Sequence, residues 1–254
     1  MHTAKLFAPL LILLALVLGA TPARAETVNC TAITTLPAII TVQGVYCFTG
    51  NLAFADIRFV PAIDIQTDNV VLDLNGLQLD GLAAGPGTEA TGINAHVRKN
   101  ITIKNGPVRG FLDGINMLGG GHVVEDIRAD QNTRAGIVVS GGSGGTIVRN
   151  NQVVATGGST CCGADANAFG IFVDGIGPRV LNNDVSNTVK LGTGTATGIL
   201  FRGVGGFGLA VNNRITKADR GIAYDAGTTG KYRDNLTFDV TTPFTGGTDA
   251  GNNN

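Results

Sequence analysis

Six times between residues 92 and 222 the chain returns to a Gly-Ile pair followed by an alternating apolar run. The pairs are Gly92-Ile93, Gly114-Ile115, Gly136-Ile137, Gly170-Ile171, Gly198-Ile199 and Gly221-Ile222. A second pattern, apolar-x-Asn-x-Val, runs between them around Asn75, Asn151, Asn183 and Asn213, with weaker copies at Asn105, Glu125 and Asn235. Two interleaved repeats with a spacing of roughly 20–34 residues restrict the chain to a solenoid, a propeller or another stacked array.

The stretch from Gly145 to Ile176 shows the content of one copy. Thr146-Ile147-Val148 is a short apolar strand, Asn150-Asn151 a tight bend, and Gln152-Val153-Val154 a second strand. A Gly-rich loop follows, then Gly170-Ile171-Phe172-Val173-Asp174 as a third strand. No segment carries a sustained helical period, and β-branched runs punctuated by Gly, Asn and Asp are strand and turn signals. One three-strand coil cannot bury its own apolar face. Stacked on its neighbours at about 4.8 Å, it lines a continuous core and pairs each strand above and below. Propeller blades need about four strands per 40-odd residues, and an antiparallel sandwich would leave the two repeats unexplained.

Asn suits such a bend because it tolerates the left-handed region better than other non-Gly residues. Stacked in register, Asn side chains can also bond to the backbone and to one another. Asn75, Asn105, Asn151, Asn183, Asn213 and Asn235 are therefore expected to belong to the scaffold. The 38 glycines recur at fixed places between apolar runs, which reads as many tight turns and not as low complexity.

The ends read differently. Lys5, the apolar stretch Leu6 to Ala20 and Ala23-Arg24-Ala25 resemble an export signal with a small-x-small cleavage site; an uncleaved anchor is the alternative. Residues 1–25 are thus read as a signal peptide, 26–60 as an N-terminal cap with the first strands, 61–241 as repeats and 242–254 as a polar tail. The expected location is periplasmic or secreted, with no membrane span in the remaining chain. Four cysteines in an exported chain favour disulfides. Cys30 and Cys47 lie in one short segment before the repeats and are expected to pair. The adjacent Cys161 and Cys162 are either free or joined as a strained vicinal disulfide. A formal net charge of −1 leaves no electrostatic footprint for nucleic acid. The absence of Trp removes the usual sugar-stacking platform.

Short strands, an Asn-bearing turn, a variable loop and a Gly-Ile strand, in that cyclic order, resemble the pectin lyase-like superfamily. The opening Cys30-Thr31 to Tyr46-Cys47-Phe48-Thr49-Gly50-Asn51-Leu52 is similar to the start of small secreted bacterial β-helix-repeat proteins. The resemblance covers nearly all of residues 30–240. It implies an all-β, right-handed parallel β-helix of three sheets and about seven coils with a disulfide-stapled cap, monomeric, and acting on or binding acidic polysaccharide. Lyases, hydrolases, epimerases, esterases and phage spikes share this fold, so the fold does not choose among them.

In that resemblance the Gly-Ile strands floor a groove walled by the variable loops. Strand alternation then sends one column outward as Asn94, Asn116, Val138, Phe172, Leu200, Ala223, and a second as His96, Leu118, Ser140, Asp174, Arg202, Asp225. Asp174, Arg202 and Asp225 fall on three successive coils, as cross-strand neighbours about 5 Å apart. This row is either a surface ion-pair ladder or a catalytic set, in which the carboxylates Asp174 and Asp225 could also hold Ca²⁺. Asn94, His96 and Asn116 form a second polar patch, expected to bind substrate if the groove is a site. The Asn-Thr-Asp, Asp-Asp, Gly-His-Gly and Arg-Ile-Lys blocks of polygalacturonases are absent, as are the Arg-x-Pro-x-x-Arg block of pectate lyases and the Asp-Pro-His-Glu motif of mannuronan epimerases. Two function classes follow: a lyase or hydrolase of acidic polysaccharide, or a non-catalytic glycan-binding or surface scaffold. A terminal module of a longer assembly is a third.

Overall fold

A computed structural model describes residues 27–141, 144–161, 166–203 and 207–254. The expected signal segment, residues 1–25, and Cys162 lie outside the described residues. The fold is an all-β parallel helix in which three strands and three turns make each coil. Each coil returns the chain to a parallel neighbour in the same sheet, a crossover connection that is right-handed in nearly all cases. The register follows the repeat: Ile63, Ile93, Ile115, Ile137, Ile171, Ile199, Ile222 and Phe244 stand in one column. Each of these isoleucines is buried in a single core. The stack extends beyond the Gly-Ile copies at both ends. Thr31–Ile33 pairs with Gly44–Phe48 at the start. Leu236–Thr245 adds a rung that runs from the expected repeats into the segment read as a polar tail, and Thr248–Asp249 adds another within it.

Close approach, more than turning, is what the Gly-Ile glycines provide. Most of them lie inside strands, at the corner where the chain enters the Gly-Ile sheet. A Cβ on Gly114, Gly136, Gly170 or Gly198 would stand 2.5–2.9 Å from the carbonyl oxygen of the matching glycine on the next coil. Side chains from the strand after the Asn bend crowd the same point: Val153 beside Gly136, Val185 beside Gly170, Ile215 beside Gly198. No side chain fits there, so the glycine must recur wherever the coil recurs.

The Asn-Asn bend divides its two roles between neighbours. The first residue takes the left-handed conformation: φ is 56° at Asn150, 57° at Asn182, 55° at Asn212 and 58° at Asp234. These side chains are outside, and Asn212 donates to Asn182 at 2.9 Å. The second residue is buried and builds the inner ladder through Asn151, Asn183, Asn213 and Asn235. The Oδ1 of Asn183 accepts both the backbone N–H and the side-chain amide of Asn151, each at 3.0 Å. Asn183 in turn donates its own two groups to Asn213 and a further N–H to the Val148 carbonyl. Asn253 continues the ladder beneath Asn235. Asn75 and Asn105 do something else: both are left-handed and both donate to the buried carboxylate of Asp73.

Asp73 organises the first coils. Burial pushes its pKa up, but hydrogen bonds from Thr27, Asn75, Asn105 and Lys104 outweigh that and hold it below the ordinary value. The Thr27 hydroxyl donates to it at 2.5 Å, tying the start of the described chain to the coil. Cys30 and Cys47 are bonded, closing a loop of 17 residues in sequence, worth about 3 kcal/mol in the chain-entropy account. Cys161 is buried and is not a free thiol.

His122 sits in the core with no exposed surface. Its Nδ1 accepts from the Ile101 N–H at 3.4 Å, and Nε2 has no partner among the described residues. Burial disfavours the imidazolium and lowers the pKa from 6.5, with the Asp68 charge opposing. Below pH 6.5 the unfolded chain therefore takes up a proton that the folded chain refuses. Stability is fullest above 6.5 and falls as the pH drops toward the depressed folded value, by at most about 1.4 kcal/mol per pH unit. Urea unfolding at pH 7.5 and pH 5 is expected to show this loss, and His122→Leu to flatten it. An unchanged slope in the variant would assign the loss to other groups.

Candidate functional site

Beside the two columns that strand alternation sends outward, a third column in register runs through the residues before the Gly-Ile pairs. The first expected column is in register and is lengthened at both ends, running Asp64, Asn94, Asn116, Val138, Phe172, Leu200, Ala223, Thr245. The second contains Leu118 opposite Ser140 and Asp174 opposite Arg202. The additional column precedes each Gly-Ile pair and reads Thr91, Asp113, Ala135, Phe169, Thr197, Arg220. Most of these side chains are buried, but two of them touch the outward column. Asp113 reaches Asn116, and the Phe169 ring meets Phe172 edge-on with centroids 5.5 Å apart.

Early coils present a hydrogen-bonded polar patch. Asn94 donates to Asp64 at 2.8 Å, and Gln66 donates to the other oxygen of Asp64 at 2.7 Å. Asn116 donates to Asp113 at 3.4 Å. Asp113 is buried, and Arg134 grips it with a fork through Nε and Nη2. The hydrogen bonds to that carboxylate raise the Arg134 pKa. Sequence reading found Asn94, His96 and Asn116 but missed Asp64, Asp113 and Arg134. A polar residue directly before a Gly-Ile pair was the available signal for Asp113; nothing local marked Arg134.

His96 is exposed and stands at an irregularity. The pairing of its strand shifts register between Met117 and Gly119 of the next coil, so an extra residue is inserted near His96 and Val97. Val97 is left-handed at φ 54°, costly for a β-branched residue. Gly119 accommodates the bulge, since a Cβ there would collide with the Arg98 backbone. Bulges re-aim side chains, and here the bulge lies at the end of the polar patch.

Late coils bring Phe172, Asp174, Arg202 and Asp225 together. Arg202 donates through Nε to Asp225 at 3.2 Å and lies over the Phe172 ring, 5.6 Å from its centroid. The pair is exposed and worth at most about 1 kcal/mol. Asp174, though opposite Arg202 in register, makes no ion pair among the described residues. Arg202 thus uses Nε on Asp225, and its two terminal nitrogens make no hydrogen bond among the described residues. Leu200 stands in the outward column beside Phe172 but is only 2 % exposed and lies outside the central core cluster, whereas Phe172 is half-buried. No group of three His, Cys, Asp or Glu side chains among the described residues is placed to hold a metal ion, around Asp174 and Asp225 or elsewhere.

The loops between the second strand and the Gly-Ile strand of each coil form one flank of this face. They stack on one another: Thr160 donates to the Pro86 carbonyl at 3.0 Å, and Val189 to that of Thr156 at 2.8 Å. Among the described residues no helix is long and apolar enough to cross a membrane. The chain matches no family model, and neither a curated protein nor a solved structure is significantly similar to it.

Proposed function

We propose that the protein is an exported β-helix of the pectin lyase-like kind that binds acidic polysaccharide along the outward face of its Gly-Ile sheet. The observation that carries this reading is the placement of Arg202. Its Nε is held by Asp225 and its guanidinium lies over Phe172, while the terminal nitrogens have no hydrogen-bond partner among the described residues. A fixed guanidinium fork recognises a carboxylate in two parallel hydrogen bonds, and a half-buried Phe pair offers an apolar surface to the flat side of a sugar ring. The polar patch on the earlier coils lies along the same face and supplies hydrogen-bonding groups for hydroxyls. Export is supported by the leader-like first 25 residues and by the Cys30–Cys47 bond.

Retardation on uronan-containing gels tests the reading. Polygalacturonate or alginate is expected to retain the protein, and Arg202→Gln or Phe172→Ala to weaken retention by about tenfold, the value of one charge-assisted or stacking contact. No retention on any acidic glycan would overturn it.

One observation favours a catalytic version. Asp225 is charge-balanced by Arg202 while Asp174 lacks such a partner among the described residues. Carboxylates in unequal surroundings are the basis for dividing acid and base roles. They stand two coils apart, about 9–10 Å between Cα atoms. In that case new reducing ends appear during incubation, and Asp174→Asn removes them without removing retention. Unchanged chain length in the wild type leaves binding alone.

A further inference from the structure

The sheet formed by the strands before the Asn bend has its own outward face, and near the last coils that face contains a shallow open groove of about 250 Å³. Phe207, Leu209, Thr229, Gly230, Lys231 and Thr248 line it. Phe207 is 69 % exposed and Leu209 38 %, unusual for large apolar side chains on adjacent outward positions of one strand. The register places Arg179, Leu209, Lys231 and Thr248 in one column on successive coils. An apolar step therefore sits between two cations about 9–10 Å apart along the stack.

Charge pairing on this face is selective. Arg149 is neutralised by Glu125 at 2.6 Å and Arg233 by Asp234 at 2.8 Å. Arg179 and Lys231 are exposed and make no ion pair among the described residues. The two unpaired cations are the ones flanking the exposed apolar step.

We infer that this groove is a second glycan site, taking a carboxylated sugar ring on the face opposite in role to the Gly-Ile sheet. Phe207 and Leu209 meet the apolar side of the pyranose, and Lys231 or Arg179 receives its carboxylate. The volume, below the roughly 300–1,000 Å³ of pockets for drug-sized ligands, suits one ring of a chain lying across the coils. Complementary charge fixes the class: a neutral saccharide leaves both cations unanswered, and a purely apolar ligand leaves them no role. The inference shares with the proposed function only the class of ligand, so substitutions on the two faces separate them.

The test is titration of ¹⁵N-labelled protein with tetragalacturonic acid, and in parallel with cellotetraose, followed by amide shifts. Tetragalacturonic acid is expected to move the amides of Gly208, Leu209, Gly230 and Lys231, and added salt to weaken the effect. Lys231→Gln and Phe207→Ala should each weaken this binding by about tenfold, and Arg202→Gln should leave it unchanged. Both side chains are exposed, and an unaltered spectrum elsewhere establishes that each variant is folded. The inference is overturned if these amides do not move, if cellotetraose moves them equally, or if Lys231→Gln binds as the wild type does. Loss of the shifts only in Arg202→Gln would place the ligand on the Gly-Ile face instead.

Discussion

Gly170→Ala is expected to destabilise the protein by about 3 kcal/mol or more, at or beyond the upper end for an overpacked site. The added carbon would stand 2.5 Å from the Gly198 carbonyl oxygen and closer still to a Val185 methyl. Neither neighbour can withdraw cheaply. The carbonyl belongs to the backbone of the adjoining coil, and Val185 is fully buried. Relief requires the coils to separate, which would stretch the hydrogen bonds between Ala168–Asp174 and Ala196–Arg202. Urea unfolding of the variant, compared with Gly50→Ala, gives the measurement. A Cβ at Gly50 meets nothing within 4 Å and its backbone is not left-handed, so that change should be neutral or slightly stabilising through the unfolded chain. Equal losses in the two variants would show that chain entropy, and not the close approach, sets the cost.

Asn183→Ala should cost about 3–5 kcal/mol, because several buried groups lose partners at once. Its Oδ1 accepts from the backbone and side chain of Asn151, and its amide donates to Val148 and Asn213. Asn183 is 2 % exposed, so water does not replace those bonds. Asn183→Asp is expected to be comparably damaging: the isosteric carboxylate keeps the acceptor but loses both donors and carries an unpaired buried charge. Asn182→Gly provides the contrast. Asn182 is exposed and left-handed at 57°, a conformation glycine accepts, so the loss should stay below about 1 kcal/mol. If Asn182→Gly cost as much as Asn183→Ala, the bend itself and not the buried ladder would be the stabilising element.

These two predictions mark how far the repeat could be read without coordinates. The parallel coil, the inward Ile column and the Asn ladder follow from spacing, because a stacked solenoid forces residues one period apart into contact. The reason for the glycine did not follow. Gly looks alike in a turn and at a crowded corner, and only the next coil's backbone shows which it is. The paired asparagines were similar: both occur in the motif, yet one is exposed and left-handed while its neighbour is buried and bonded.

The candidate face was legible in part for the same reason. Alternation along a strand placed Asn94, Asn116, Asp174 and Arg202 outward, and their register agrees. It could not find the column before the glycine, because a corner breaks the period-two rule on which the reading depends. Asp113 and Phe169 entered the face that way, and Arg134 followed Asp113 from the adjoining coil. Nor could alternation choose partners within the charged row. Arg202 lies between two carboxylates in register, but its long side chain leans to Asp225 and onto Phe172.

By itself the sequence determined the coil, its core column and its inner Asn ladder, since each rests on a period that stacking converts directly into contact. Tertiary structure decided what fills the corners, which charges pair and which remain open on two outward faces. Those outcomes depend on side-chain reach and on loops of unequal length, and neither is written in the repeat.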